Sequence, residues 1–240
     1  DLSREIHTIF VALDPTFNAV QEASRHNAQL VLTHHPLIFK PISQIERNHY
    51  PGSVIFEAIK RDISIVCAHT NLDVAGEGIN DVLAKKFNLK NVEILRKQDD
   101  PEINNRFGLG RIGDLTESVT LSSMILKVKD ILSADYLQIV GHEDMDIKRI
   151  AVVGGAGGSL LPLAFSSGAD LLITGDLGYH NALLAEHMGL AVIDAGHFNT
   201  EKAAFDLFAD QLIDKLKEKN YGVTMIPHSN EKNPMTGKTF

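Results

Sequence analysis

An internal repeat constrains this chain more than any other feature of its sequence. Residues 9–37, IFVALDPTFNAVQEASRHNAQLVLTHHPL, align without a gap to residues 150–178, IAVVGGAGGSLLPLAFSSGADLLITGDLG. Identities are few, but the order is the same in both: an apolar run, a turn, a helical segment, then LVLTHHPL over LLITGDLG. A second pair of segments extends the match. SIVCAHTNLD at 64–73 lies over AVIDAGHFNTE at 191–201, which pairs His69 with His197, Asn71 with Asn199 and Asp73 with Glu201. The alignment therefore predicts that residues 9–73 and 150–201 share one local fold.

Short apolar runs at 9–13, 30–33, 63–68, 150–154, 171–174 and 191–194 read as buried strands, each followed by a helical segment. Asp14 before Pro15 is the expected cap of the first helix, and Ser53 that of the helix carrying Val54, Ile55 and Ile59. Ala203, Phe205, Leu207, Phe208, Leu212 and Leu216 form a helical stripe that reads as core packing. Alternating β and α predicts an α/β fold of two internally repeated halves with mostly parallel sheets, residues 1–98 forming the first repeat and 99–240 the second. The second half has about 32 residues of helix and strand, 118–149, ahead of its repeat core, whereas the first has only residues 1–8. A leading helix and strand of roughly 30 residues are thus expected to complete the first half.

In such sheets, sites form beyond the carboxyl ends of the strands. His34 and His35 follow LVLT, Asp73 follows IVCAHTNL, and His197 and Glu201 follow VIDAG. Taken singly, each has an ordinary reading: a solvated histidine pair, an Asx-turn, a carboxylate at a helix start. Their convergence on corresponding strand ends of a duplicated sheet instead predicts a metal site between the halves. Imidazoles with carboxylates suit two divalent ions of zinc, iron or manganese rather than magnesium or calcium. At a strand end followed by Pro36 the two histidines are expected to diverge toward two ions, and Glu201, four residues after His197, is expected to bridge them. Because the imidazoles must be neutral to ligate, metal retention should fall as pH drops through about 6. His69 is expected as a catalytic proton donor or as a hydrogen-bond partner of a ligand, and Asp176 and His180 as lining residues. The loop GGAGGS at 154–159 is either an anion cradle or a tight turn for helix packing.

Composition narrows the partners. A net charge of −8, with no Lys/Arg-rich run, argues against a phosphate-backbone ligand, and a small-molecule substrate is expected instead. No segment approaches the roughly 18 continuous apolar residues of a membrane span. The single cysteine, Cys67, lies in the apolar run ISIVCA, has no second cysteine to pair with, and fits a reducing, cytoplasmic setting.

The motifs LVLTHHPLIFKPI, CAHTNLDVAGEGIND, FGLGRIGDL, VVGGAGGS, DLLITGDLGYHNAL and VIDAGHFNTE, in this order and over essentially the whole chain, resemble the NIF-three-like family. Its members are often labelled GTP cyclohydrolase 1 type 2 homologues. The resemblance implies two intertwined α/β repeats with mixed sheets and a dinuclear metal site. By position, His34, His35, Asp73, His197 and Glu201 match the family's ligands, and none is substituted. It further implies a toroidal homohexamer with its sites facing an internal cavity, and a metal-dependent hydrolase acting on a nucleotide-like or phosphorylated small molecule. A metal-binding or adaptor protein without turnover is the alternative. The stretch near 95–107 is too short for the domain that some relatives insert between the halves.

Overall fold

The computed structural model describes residues 4–99 and 106–236. In chain order the elements are β1 (Thr8–Ala12), α1 (Phe17–Arg25), β2 (Leu30–Thr33), α2 (Gly52–Lys60), β3 (Ser64–Cys67), α3 (Thr70–Val74), α4 (Ile79–Lys86), β4 (Lys90–Lys97) and β5 (Gly108–Thr120). They continue with α5 (Leu121–Ile131), β6 (Gln138–Val140), β7 (Asp146–Ala156), α6 (Leu161–Ser166), β8 (Leu171–Gly175), α7 (Tyr179–Met188), β9 (Ala191–Asp194), α8 (His197–Glu218) and β10 (Thr224–Pro227). The six strands expected from the apolar runs are all present. The described residues fall into two compact units, one running to Leu72 and including Phe205–Lys232, the other Asp73–Ala204 with the residues from Asn233 on.

The first unit holds a four-stranded, wholly parallel sheet in the order β10-β1-β2-β3. Its first strand comes from the far end of the chain, so the C-terminal segment completes a sheet begun by the N-terminal one. Phe10, Val20, Ala23, Val31 and Val54 form the core between the sheet and helices α1 and α2. From α8, Phe205 is fully buried and Ala209 nearly so, whereas Leu207, Phe208 and Leu212 of the expected stripe are half-buried.

The second unit holds a six-stranded mixed sheet, β4-β5-β7-β8-β9-β6. Its central strands β7, β8 and β9 are parallel, and β4, β5 and β6 join antiparallel. Ile112, Ala151, Val153, Leu161, Leu172 and Val192 make its core. Each such buried aliphatic side chain larger than alanine contributes about 1.5–3 kcal/mol. Arg111, 3% exposed, is satisfied by Asp81 and by the carbonyls of Gly108, Gly110 and Ala75.

The repeat extends to individual hydrogen bonds. Ile9 pairs with Leu30 in β1 and β2, and the aligned Ile150 pairs with Leu171 in β7 and β8. Gln29 N donates to Thr8 O at 3.1 Å and Asp170 N to Arg149 O at 2.8 Å; Ala68 N donates to Thr33 O and Ala195 N to Thr174 O, both at 2.8 Å. Even a side-chain clasp recurs. Gln29 Oε1 accepts from the backbone of His7 and Thr8, and Asp170 Oδ2 from that of Lys148 and Arg149.

Two expected caps are corrected. Thr16, not Asp14, caps α1, its hydroxyl accepting from Ala19 N at 3.0 Å. Ser53 lies inside α2, whose N-cap is Pro51 with no side-chain bond. Among the described residues no helix is long and apolar enough to cross a membrane.

Candidate metal centre

The chain leaves strand geometry where β2 ends, because Leu13 O accepts from both His34 N at 3.2 Å and His35 N at 3.0 Å. Adjacent side chains then no longer alternate across a pleat, and the two rings stand 5.2 Å apart. His69, just past β3, sets its ring edge toward His34 at 5.4 Å and His35 at 5.7 Å. His34, His35 and His69 each offer a ligand atom within 4.8 Å of the others. His69, expected as a proton donor or as a hydrogen-bond partner of a ligand, thus stands close enough to His34 and His35 to be a candidate ligand as well.

Orientation follows from the second ring nitrogen. His34, fully buried, donates Nδ1–H to Ala68 O at 2.8 Å. His35 donates Nδ1–H to the Asp14 carboxylate at 2.7 Å. Asp14, read from sequence as a helix cap, thus orients a candidate ligand. With Nδ1 committed as a donor to oxygen, each ring presents the lone pair of Nε2, the arrangement that carbonyl and carboxylate partners impose on metal-binding histidines.

In the second unit, the Asp194 carboxylate at the end of β9 accepts from Leu177 N at 2.8 Å and Gly196 N at 2.9 Å. Gly196, at φ +82°, is the extra residue that separates this strand end from its counterpart before His69 and turns the chain into α8. His197 opens α8 and donates Nδ1–H to Asp176 Oδ2 at 2.7 Å. Its Nε2 lies 3.0 Å from the carboxylate of Glu201, one helical turn on and 4% exposed. The hydrogen bond to Glu201 pushes the His197 pKa up to about 9; burial opposes the shift, and the charge of Glu201 and the contact with Asp176 add to it.

The glycine loop serves this pair. Gly155 takes φ +65°, and a β-carbon there would run into the Glu201 carboxylate. Gly154 N donates to Asn80 Oδ1 and Gly155 N to Thr200 Oγ1, both at 3.0 Å, while Gly157 N donates to Thr174 Oγ1 at 2.9 Å. These N–H groups are engaged by side chains, so the tight-turn reading holds over the anion cradle. Asp73 lies on α3, half-buried, with its backbone carbonyl accepting from Asn80 Nδ2 at 2.9 Å. His180 is exposed on α7 beside Tyr179. Sequence reasoning passed over Asp14, Asn80 and Thr200 as site residues. The repeat offered one signal: it aligns His35 with Asp176, so the two residues bonded through a histidine Nδ1, His35 to Asp14 and Asp176 to His197, fall at paired positions.

Imidazoles fixed through Nδ1, at His34 and His35 in the first unit and at His197 beside the Glu201 carboxylate in the second, are donor types suited to a first-row transition metal. The class so defined is a duplicated α/β protein with candidate metal ligands at the carboxyl ends of its strands. The chain belongs to the Duf34/NIF3 (NGG1p interacting factor 3) family, whose sequence profile matches residues 1–234. It is 32% identical over 98% of its length to a Clostridium acetobutylicum protein named GTP cyclohydrolase 1 type 2 homolog, covering 87% of that protein. A Clostridium perfringens protein of the same name is 37% identical over 84% of this chain and 76% of its own. A Bacillus cereus protein described as related to NIF3 has a crystal structure that superposes with TM-score 0.93 at 26% identity, over 99% of this chain and 91% of that one.

Proposed function

We propose that this chain binds two divalent metal ions and hydrolyses a nucleotide-like or phosphorylated small molecule. The observation that carries the reading is the close grouping of His34, His35 and His69, with His197 and Glu201 paired at the aligned strand end of the other repeat. His34, His35, Asp73, His197 and Glu201 would hold the ions, with zinc, iron or manganese fitting the donors. When bound, such ions polarise a scissile bond and lower the pKa of water to near neutrality.

The chain's own residues have defined tasks in this scheme. Asp14 and Asp176 keep the Nδ1 protons on His35 and His197, which reserves Nε2 for ligation. His69, placed against His34 and His35, either ligates or passes a proton to the leaving group. Phe39, 73% exposed with its ring 6.0 Å from that of His69, offers an apolar face to a planar substrate ring. Relatives named GTP cyclohydrolase 1 type 2 homolog support a purine nucleotide as the first substrate to try. Assembly into a toroidal homohexamer is part of the proposal, and the exposed Ile38, Ile45 and Tyr50 are apolar surface suited to cover by another copy. Light scattering measures it directly.

The family description, an interacting factor, favours a second reading in which the protein binds metal and partners without turnover. A screen of GTP, other nucleotides and phosphoesters with the metal-loaded protein separates the two. Turnover lost in His35→Ala and Glu201→Ala supports the hydrolase; stoichiometric metal with no turnover of any of them supports the binding protein.

A further inference from the structure

Parallel pairing of β10 with β1 carries the C-terminal segment to the end of β1 that precedes the ligand histidines, where His228 N donates to Val11 O at 2.8 Å. Three residues on, the Glu231 carboxylate closes over the end of that strand. Oε2 accepts from Leu13 N and Oε1 from Asp14 N, each at 2.9 Å. Both of these residues hold the candidate ligands. Leu13 O is the acceptor for His34 N and His35 N, and the Asp14 carboxylate is the acceptor for His35 Nδ1. One carboxylate thus fixes, through two charge-assisted bonds, the peptide that sets the backbone of both histidines and the ring of His35.

The second repeat meets the same need with different residues. Gly154 and Gly155 align with Leu13 and Asp14, and their N–H groups are held by Asn80 and Thr200, next to Glu201. In either repeat two successive N–H groups that the strand ladder does not engage take side-chain acceptors instead. Each repeat places those acceptors directly behind its ligand histidine or carboxylate.

We infer that Glu231 is a positioning residue for the His34–His35 pair, acting through Leu13 and Asp14 to aim His35 Nε2. The inference rests on the metal-binding reading above, and its test keeps the two apart. Full-length wild type, Glu231→Ala, Glu231→Gln and Gln29→Ala are stripped with a chelator and titrated with zinc ions against a chromophoric competitor. Gln29→Ala is the control, since Gln29 Oε1 clasps His7 N and Thr8 N at the opposite end of β1. Glu231→Ala should weaken zinc binding by about 10- to 100-fold, as loss of a ligand-orienting partner does. Glu231→Gln, which keeps one acceptor oxygen, should fall between Glu231→Ala and wild type. Gln29→Ala should lower the melting temperature but leave zinc affinity unchanged. Nitrogen-15 spectra of the metal-free proteins give a second readout, in which Glu231→Ala shifts the His35 ring signals and Gln29→Ala does not. Wild-type zinc affinity in Glu231→Ala together with unchanged His35 signals would overturn the inference, as would equal effects from both alanine variants. If wild type binds no zinc while the His35 signals still respond to Glu231→Ala alone, the positioning stands and the metal reading falls.

Discussion

His197 makes metal binding and proton binding compete, and the competition runs in a pH range that the sequence alone does not give. In the metal-free protein Glu201 and Asp176 hold His197 protonated up to about pH 9. An ion bound at Nε2 displaces that proton, so apparent affinity falls about tenfold for each pH unit below 9, or about 100-fold from pH 9 to pH 7. The His197 side chain is 35% exposed, and solvent screening brings the expected change to between about 10- and 100-fold. Stability of the metal-free protein runs the other way. A histidine whose folded pKa lies above its ordinary 6.5 contributes stability that is fully present below that value and is lost as pH rises to about 9. Melting temperature should therefore fall across this window in chelated protein, while the increment produced by zinc grows. Calorimetric zinc titrations at pH 7 in two buffers of different ionisation enthalpy count the proton released, and competition titrations at pH 7, 8 and 9 give the slope. Flat affinity from pH 7 to 9, with no proton released at pH 7, would refute the coupling. The loss expected near pH 6 from free histidine should thus begin at higher pH for His197, because of the Glu201 contact.

Gly155→Ala should destabilise the fold by about 1–2 kcal/mol through its left-handed backbone and displace the Glu201 carboxylate; urea melts and zinc affinity should both respond. Leu172→Ala, at a fully buried site in the second core, should cost about 2–5 kcal/mol, whereas Leu126→Ala, 69% exposed on α5, should change stability by less than about 0.5 kcal/mol. Chemical denaturation measures both.

The parallel heart of each unit was legible because LVLT, SIVC, LLIT and AVID are short apolar runs, all but the edge strand SIVC largely buried, and the gapless repeat fixed their correspondence. The histidines at the strand ends were legible for the same reason. Strands β4 and β5 were not: β5 is broken by Gly108, Gly110 and Gly113, and β4 is mostly exposed and charged. At Gly108 and Gly113 a β-carbon would collide with the backbone of the β4 side of the sheet, so the residues that weaken the local strand signal are those that permit close pairing. β10 was missed because four residues near the C-terminus pair with β1, a contact that no local pattern carries. Asp14 was misread because a carboxylate ahead of a helix is an ordinary cap, and only the tertiary fold brings His35 against it. The closeness of His69 to His34 and His35 was not legible, because its neighbours come from a different strand end.

Metal content of the purified full-length chain, loaded with zinc, dialysed and measured by elemental analysis at fixed pH, tests the central claim most directly. The expected result is two equivalents in wild type, a fall below every single His→Ala variant in Glu201→Ala, whose carboxylate offsets the repulsion of two close cations, and loss of mainly one ion in His34→Ala or His35→Ala. Wild-type protein that retains no stoichiometric metal contradicts the account; two equivalents kept in Glu201→Ala, with both lost in His35→Ala, contradicts the bridging role assigned to Glu201.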